Sequence, residues 1–125
     1  MDGAREDGGP RVLVVDDDAD TADSLVLLLT LWGCRAAAAY DGRAAAGAAL
    51  ATRPDVVVLD LGLPGLDGYE VARRLRVAPG LEKVRLIAVS GFGREEDRER
   101  SRAAGFDHHL LKPVEPDVLR DLLTQ

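Results

Sequence analysis

Apolar residues fall into two patterns along this chain: short unbroken runs, and longer stretches in which they recur every three or four positions. The runs Val12–Val15, "DVVVLD" from Asp55 to Asp60 and "RLIAVS" from Arg85 to Ser90 are rich in β-branched residues and do not alternate with polar ones. A strand with one wet face alternates, so these runs predict strands buried on both faces of a parallel sheet. Between them the period becomes helical. Ala22, Leu25, Val26, Leu28, Leu29 and Trp32 follow one helical face, closed by Gly33. The Ala-rich stretch from Arg43 to Ala51 and "GYEVARRLR" from Gly68 to Arg76 predict two more helices, the second with Val71, Ala72 and Leu75 on one side. "GREEDRERSRAAG" predicts a charged helix ending at Gly105, and Pro116 suits the first turn of a last helix with Val118, Leu119, Leu122 and Leu123 inward. Two weaker runs, "CRAAAAY" from Cys34 and "DHHLL" from Asp107, predict the remaining strands.

Strand and helix thus alternate five times, which predicts an α/β fold. Right-handed crossovers favour an open, five-stranded parallel sheet of order 2-1-3-4-5 with helices on both faces. Residues 1–10, "MDGAREDGGP", are polar and Gly-rich and read as a flexible tail or linker, leaving 11–125 as one domain. Composition then narrows the function. Lys and Arg total 16 against 22 Asp and Glu, a net charge of −6, which argues against a direct nucleic-acid partner. The longest apolar run, Leu25 to Trp32, is interrupted by Thr30 and falls short of the roughly 20 residues that cross a bilayer, so no membrane insertion is expected. Cys34 is the single cysteine and reads as a small buried hydrophobe in a cytoplasmic chain.

In such a sheet the site lies beyond the carboxyl ends of the strands, where the order switches between the first and third. Those strands end at Asp16-Asp17 and Asp60, the fourth ends at Ser90, and the fifth runs to Lys112-Pro113. Adjacent carboxylates repel one another, and a hard, oxygen-lined cluster of this kind suits Mg²⁺. With the cation present, a carboxylate can attack a phosphoryl group while Lys112 and the Ser90 hydroxyl orient its oxygens. Plainer roles fit other residues. Asp18 or Asp20 is expected to cap the following helix, and Asp67-Gly68 reads as a turn and helix start. His108 and His109 would point to opposite faces of a strand, so no zinc site is expected. The run Arg94–Arg102 reads as a solvated helix face with pairs such as Glu96 and Arg100.

Taken together, "VLVVDDD", "DVVVLDLGLPGLDGYEV", "AVSGFG" and "AGFDHHLLKPVEP" resemble the receiver domain of two-component response regulators, over essentially all of Arg11 to Leu123. The resemblance implies the flavodoxin-like receiver fold, with Asp60 as phosphoacceptor and Asp16 and Asp17 as Mg²⁺ ligands, Asp17 the more direct. It further implies a metal contact from the Gly62 backbone carbonyl and from Asp60, a switch hydroxyl at Ser90, and Lys112, before a cis-bonded Pro113, as the partner of the phosphoryl group. The implied donor is a phosphohistidine on a histidine kinase or histidine phosphotransfer domain, and an output domain in the same or another chain is the further implied partner. Such a domain catalyses only its own phosphorylation and dephosphorylation. "FDHHLLKPVEP" resembles the receivers of hybrid histidine kinases in particular. Two positions depart from the family pattern. His109 stands where a Tyr or Phe is usual as second switch residue, and is expected to point toward the fourth helix; Gly62 and Gly91 leave the mouth of the site with little side-chain cover. Two rivals carry different chemistry. A phosphohydrolase of the haloacid dehalogenase type would use Asp16-x-Asp18 but needs a further acidic pair after the lysine, and a phosphorylation-independent docking module would not need the whole set of acids, hydroxyl and lysine.

Overall fold

The structure, a computed structural model, describes residues 9–62, 67–91 and 93–124. Residues 1–8 of the expected tail, 63–66 of the "LGLPGLDG" stretch, Phe92 of "AVSGFG" and Gln125 lie outside the described residues. The order of elements is β1 (Arg11–Val15), α1 (Ala19–Leu31), β2 (Arg35–Ala39), α2 (Gly42–Thr52), β3 (Val56–Asp60), α3 (Gly68–Val77), β4 (Arg85–Ser90), α4 (Glu95–Ala104), β5 (His108–Leu111) and α5 (Pro116–Leu123). All strand pairs are parallel and the order is β2-β1-β3-β4-β5, as the sequence predicts. Among the described residues no helix is long and apolar enough to cross a membrane.

The sheet has a core on each side because successive side chains of a strand point to opposite faces. Val12, Val14, Val56, Val58, Ile87 and Val89 meet Ala22 and Leu29 of α1 and Leu119 and Leu123 of α5, with Cys34 buried among them. Leu13, Val15, Val57, Leu59, Leu86 and Ala88 meet α2, α3 and the end of α4 on the other face. Each fully buried Val or Leu contributes about 2 kcal/mol relative to exposure, so the central strands tolerate no polar residue until they end. The edge strands β2 and β5 are mostly half-buried, which explains their weaker apolar signal.

Local chemistry sets the element ends. Asp18, Asp41 and Asp67 cap α1, α2 and α3, accepting from backbone amides of Thr21, Ala44 and Glu70 respectively, while Asp20 lies inside the first turn of α1. Two expectations need correction. Val118 is not inward but 45% exposed. The two-turn helix α5 has room for one core stripe, Leu119 and Leu123, and Val118 falls on the row with Leu122 beside the groove between α4 and β5. Glu96 does not pair with Arg100: Glu96 lies 3.7 Å from Arg94, and the Arg100 guanidinium stacks 4.2 Å over the Tyr69 ring, an apolar surface that a solvated carboxylate does not offer.

One arginine ties the lower half of the molecule together. The Arg76 guanidinium donates to the carbonyl of Gly105 at 2.7 and 2.9 Å, to Asp107 Oδ2 at 2.7 Å, to the Glu82 carbonyl at 3.2 Å and to the Val84 carbonyl. Asp107 Oδ2 also accepts from the Leu86 amide at 2.9 Å, so α3, β4 and the turn into β5 share one polar knot. Gly105 closes it at φ 107°, and a Cβ there would come within 2.8 Å of Arg76 Cγ. Arg76→Ala is therefore expected to cost about 2 kcal/mol by leaving several part-buried acceptors unpaired, read as a lower urea midpoint. Arg76→Lys should recover only part of it, since an ammonium cannot reproduce the planar fork.

Candidate functional site

Four strand ends meet at the carboxyl edge of the sheet. Asp16 follows β1 directly, and its amide continues the ladder by donating to the Ala39 carbonyl at 3.1 Å. Asp60 is the last residue of β3 and Ser90 the last of β4. Lys112 follows β5, its amide held at 2.9 Å by the Ser90 carbonyl, before the cis Lys112-Pro113 bond. Gly68 lets the start of α3 come close beneath this edge: a Cβ there would meet the Leu61 Cα at 2.9 Å and the Asp60 carbonyl oxygen at 3.1 Å.

Both oxygens of Asp60 are engaged. Oδ1 accepts from the Gly62 amide at 2.9 Å, and Oδ2 accepts from the Lys112 ammonium at 3.0 Å. Asp60 is 6% exposed and Asp16 7%, while Asp17 lies open to solvent. One carboxylate oxygen from each of Asp16, Asp17 and Asp60 can be chosen so that all lie within 4.8 Å of one another, the one such metal-holding group of His, Cys, Asp or Glu among the described residues. Desolvation pushes the Asp16 carboxyl above its ordinary value, and the charges of Asp60 and Asp17 add to this, against the lowering effect of the Asp18 amide and of Lys112. Burial acts to lower the Lys112 value, yet its hydrogen bond and attraction to Asp60, with Asp16 and Asp17 behind, raise it on balance. A cleft of about 750 Å³ opens over these groups, between α1 and the segment Lys112–Val114.

The structure therefore brings Asp16, Asp17, Asp60 and Lys112 together and places Ser90, 5% exposed, at the same edge. Gly62 reaches the site through its amide. His109 does turn toward α4, with Nδ1 3.1 Å from the Ser101 hydroxyl, which itself donates to the Arg98 carbonyl at 3.0 Å; the ring nitrogen is then the donor. Asp18, the acid that a dehalogenase-type reaction would require, has both carboxylate oxygens bound to the start of α1. Sequence reasoning passed over Thr21 and Ser101. Thr21 had a signal, its place three residues after the capping Asp18; Ser101 had none, since its contact depends on how α4 packs on β5.

The family model for the response regulator receiver domain matches residues 12–124. The transcriptional regulatory protein PrrA of Mycobacterium tuberculosis is 42% identical over 116 residues, covering 93% of this chain and 48% of PrrA. The virulence sensor protein BvgS of Bordetella pertussis is 39% identical over 120 residues, covering 92% of this chain but only 10% of BvgS. The chain thus spans about half of one relative and a tenth of the other. Among solved structures, the receiver domain of the sensor histidine kinase PA1611 from Pseudomonas aeruginosa PAO1, with a magnesium ion in its active-site cleft, superposes with a TM-score of 0.83 at 30% identity, covering 93% of this chain and 95% of that one. A sheet that gathers its carboxylates at the β1/β3 switch point and a family match over nearly its full length lead to one conclusion: this chain belongs to the receiver domains of two-component response regulators, the phosphoacceptor modules of two-component signalling.

Proposed function

We propose that Asp60 is the acceptor, taking a phosphoryl group from a phosphohistidine of a histidine kinase or histidine phosphotransfer domain. The observation that carries this reading is the position of the Asp60 carboxylate, held between the Gly62 amide and the Lys112 ammonium with Asp16 and Asp17 close by. A carboxylate oxygen forms the new O–P bond as the P–N bond of the donor breaks, and that electron pair stays on the departing imidazole nitrogen. Lys112 attracts the equatorial oxygens, and the Ser90 hydroxyl, at the same edge, hydrogen-bonds one of them in the phosphorylated state. The three-carboxylate set is a hard oxygen site of the kind that suits Mg²⁺, held by Asp16, Asp17 and Asp60 with the Gly62 carbonyl in support. When bound, the cation offsets the negative charge of acceptor and phosphoryl oxygens. His109 is the second switch residue, acting through its hydrogen bond to Ser101 on α4 instead of through an aromatic swing. The domain promotes only its own phosphorylation and dephosphorylation. Its similarity to a transcriptional regulator, to a virulence sensor protein and to the receiver of a sensor histidine kinase supports an output domain in the same or another chain.

Incubation with acetyl phosphate and MgCl₂ should add one phosphate to the intact protein by mass spectrometry, and Asp60→Asn should abolish it. Modification at Asp16 with Asp60 untouched would overturn the assignment.

The raised Asp16 value gives a stability signature. A group whose native pKa lies above its unfolded one contributes stability at low pH and loses it as pH rises through the native value. Without divalent cation, ionised Asp16 thus weakens the fold above about pH 4. Asp16→Asn should melt a few degrees above the unmodified protein at pH 7, with the gap closing toward pH 4. Saturating MgCl₂ should raise the wild-type midpoint by about 5 °C and leave the variant nearly unchanged. A variant that melts lower than wild type at pH 7 without cation would refute this account.

A further inference from the structure

Asp18 joins the acid cluster to the start of α1. Its amide donates to Asp16 Oδ1 at 2.9 Å, so it holds one of the proposed metal-binding carboxylates directly. Its own carboxylate is no candidate ligand. Oδ1 accepts from the Asp20 and Thr21 amides at 3.1 and 3.4 Å, and Oδ2 accepts from the Thr21 hydroxyl at 2.9 Å. Residue 18 is extended, φ −82° and ψ 103°, so its amide turns back to Asp16 while its carboxylate reaches forward to the first turn of α1. Thr21 is exposed and lies on the wall of the cleft that contains Asp16, Asp60 and Lys112.

We propose that Thr21 is a positioning residue for the acid site: its hydroxyl locks the Asp18 carboxylate, and the locked Asp18 presents its amide to Asp16 and fixes the carboxylates of Asp16 and Asp17 for cation binding. This rests on the reading of Asp16 and Asp17 as cation ligands. The backbone amides of Asp20 and Thr21 alone would cap the helix; the hydroxyl adds the second point that stops the Asp18 side chain from rotating about its cap. The bond from the Asp18 amide to Asp16 Oδ1 closes a turn around Asp17. A bond outside the ligand shell acts in this manner on metal affinity, because a cation gains from carboxylates already oriented toward it. A simple capping role would act on helix stability and not on the metal.

The two roles separate by experiment. Mg²⁺ affinity is measured by calorimetry and by amide NMR shifts of Asp18 and Gly62, with thermal midpoints in the absence of cation alongside. Thr21→Val keeps size and β-branching and should weaken Mg²⁺ binding about tenfold, with the cation-free midpoint within a degree or two of wild type. Thr21→Ser restores the hydroxyl and should restore the affinity. Asp18→Ala removes the acceptor of the threonine hydroxyl, so adding Thr21→Val to it should weaken binding no further. Wild-type affinity in Thr21→Val, or a Thr21→Ser variant as weak as Thr21→Val, would overturn the proposal while leaving the acid site intact. Absence of Mg²⁺ binding in the wild-type protein would instead overturn the metal reading on which it rests.

Discussion

Two-sided burial of β1, β3 and β4 is the constraint from which the rest of this structure follows. A strand with apolar neighbours on both faces carries charge only at its ends, so Asp16, Asp60 and the hydroxyl of Ser90 stand where the apolar runs stop. Because the strands are parallel, all these stops lie at one edge. The like charges so assembled are mutually repulsive and partly desolvated, and Lys112, arriving from β5 across the width of β4, is the basic side chain that the structure places against them. The arrangement concentrates negative charge of a kind that a bound cation would offset.

The opposite edge carries the complementary chemistry. Helices return antiparallel to the strands, so their amino ends approach the acid edge and their carboxyl ends the far edge, with partial positive charge at the first and partial negative charge at the second. Arg85 at the start of β4 donates to the carbonyls of Leu122 and Leu123 at the end of α5, and Arg53 after α2 donates to the Pro79 carbonyl at 3.2 Å. Arg76 does the same for Gly105 after α4. These arginines satisfy carbonyls at and just after helix ends.

Between the two edges, α4 is the helix least committed to the core. Ser101 and Ala104 are its buried residues, and its ties to the neighbouring elements include the Arg100–Tyr69 stack and the Ser101–His109 hydrogen bond. A helix with so little apolar area can shift at small cost, whereas β5, which carries both His109 and the approach to Lys112, is paired to β4 through its whole length. The imidazole of His109 thus meets α4 through a directional polar contact, which has one good geometry and is lost when that geometry changes.

By itself the sequence determined the number and order of strands, the acid edge and the identity of the groups on it, because unbroken β-branched runs and the residues that end them are local signals of burial. The same local chemistry made Asp18, Asp67 and Gly105 legible as caps and stops. It also made Asp16, Asp17, Asp60, Ser90 and Lys112 legible as one constellation, since a parallel sheet of this order leaves their strand ends nowhere else to go. Tertiary structure alone decided how the groups are held across elements: that Lys112 meets Asp60 through Oδ2, that Arg100 lies on Tyr69 and not beside Glu96, that Val118 faces outward, and that Ser101 receives His109. Those contacts join elements whose spacing along the chain has no fixed period. Their geometry is set by the angle and depth at which each helix packs on the sheet, and no run of neighbouring residues encodes that.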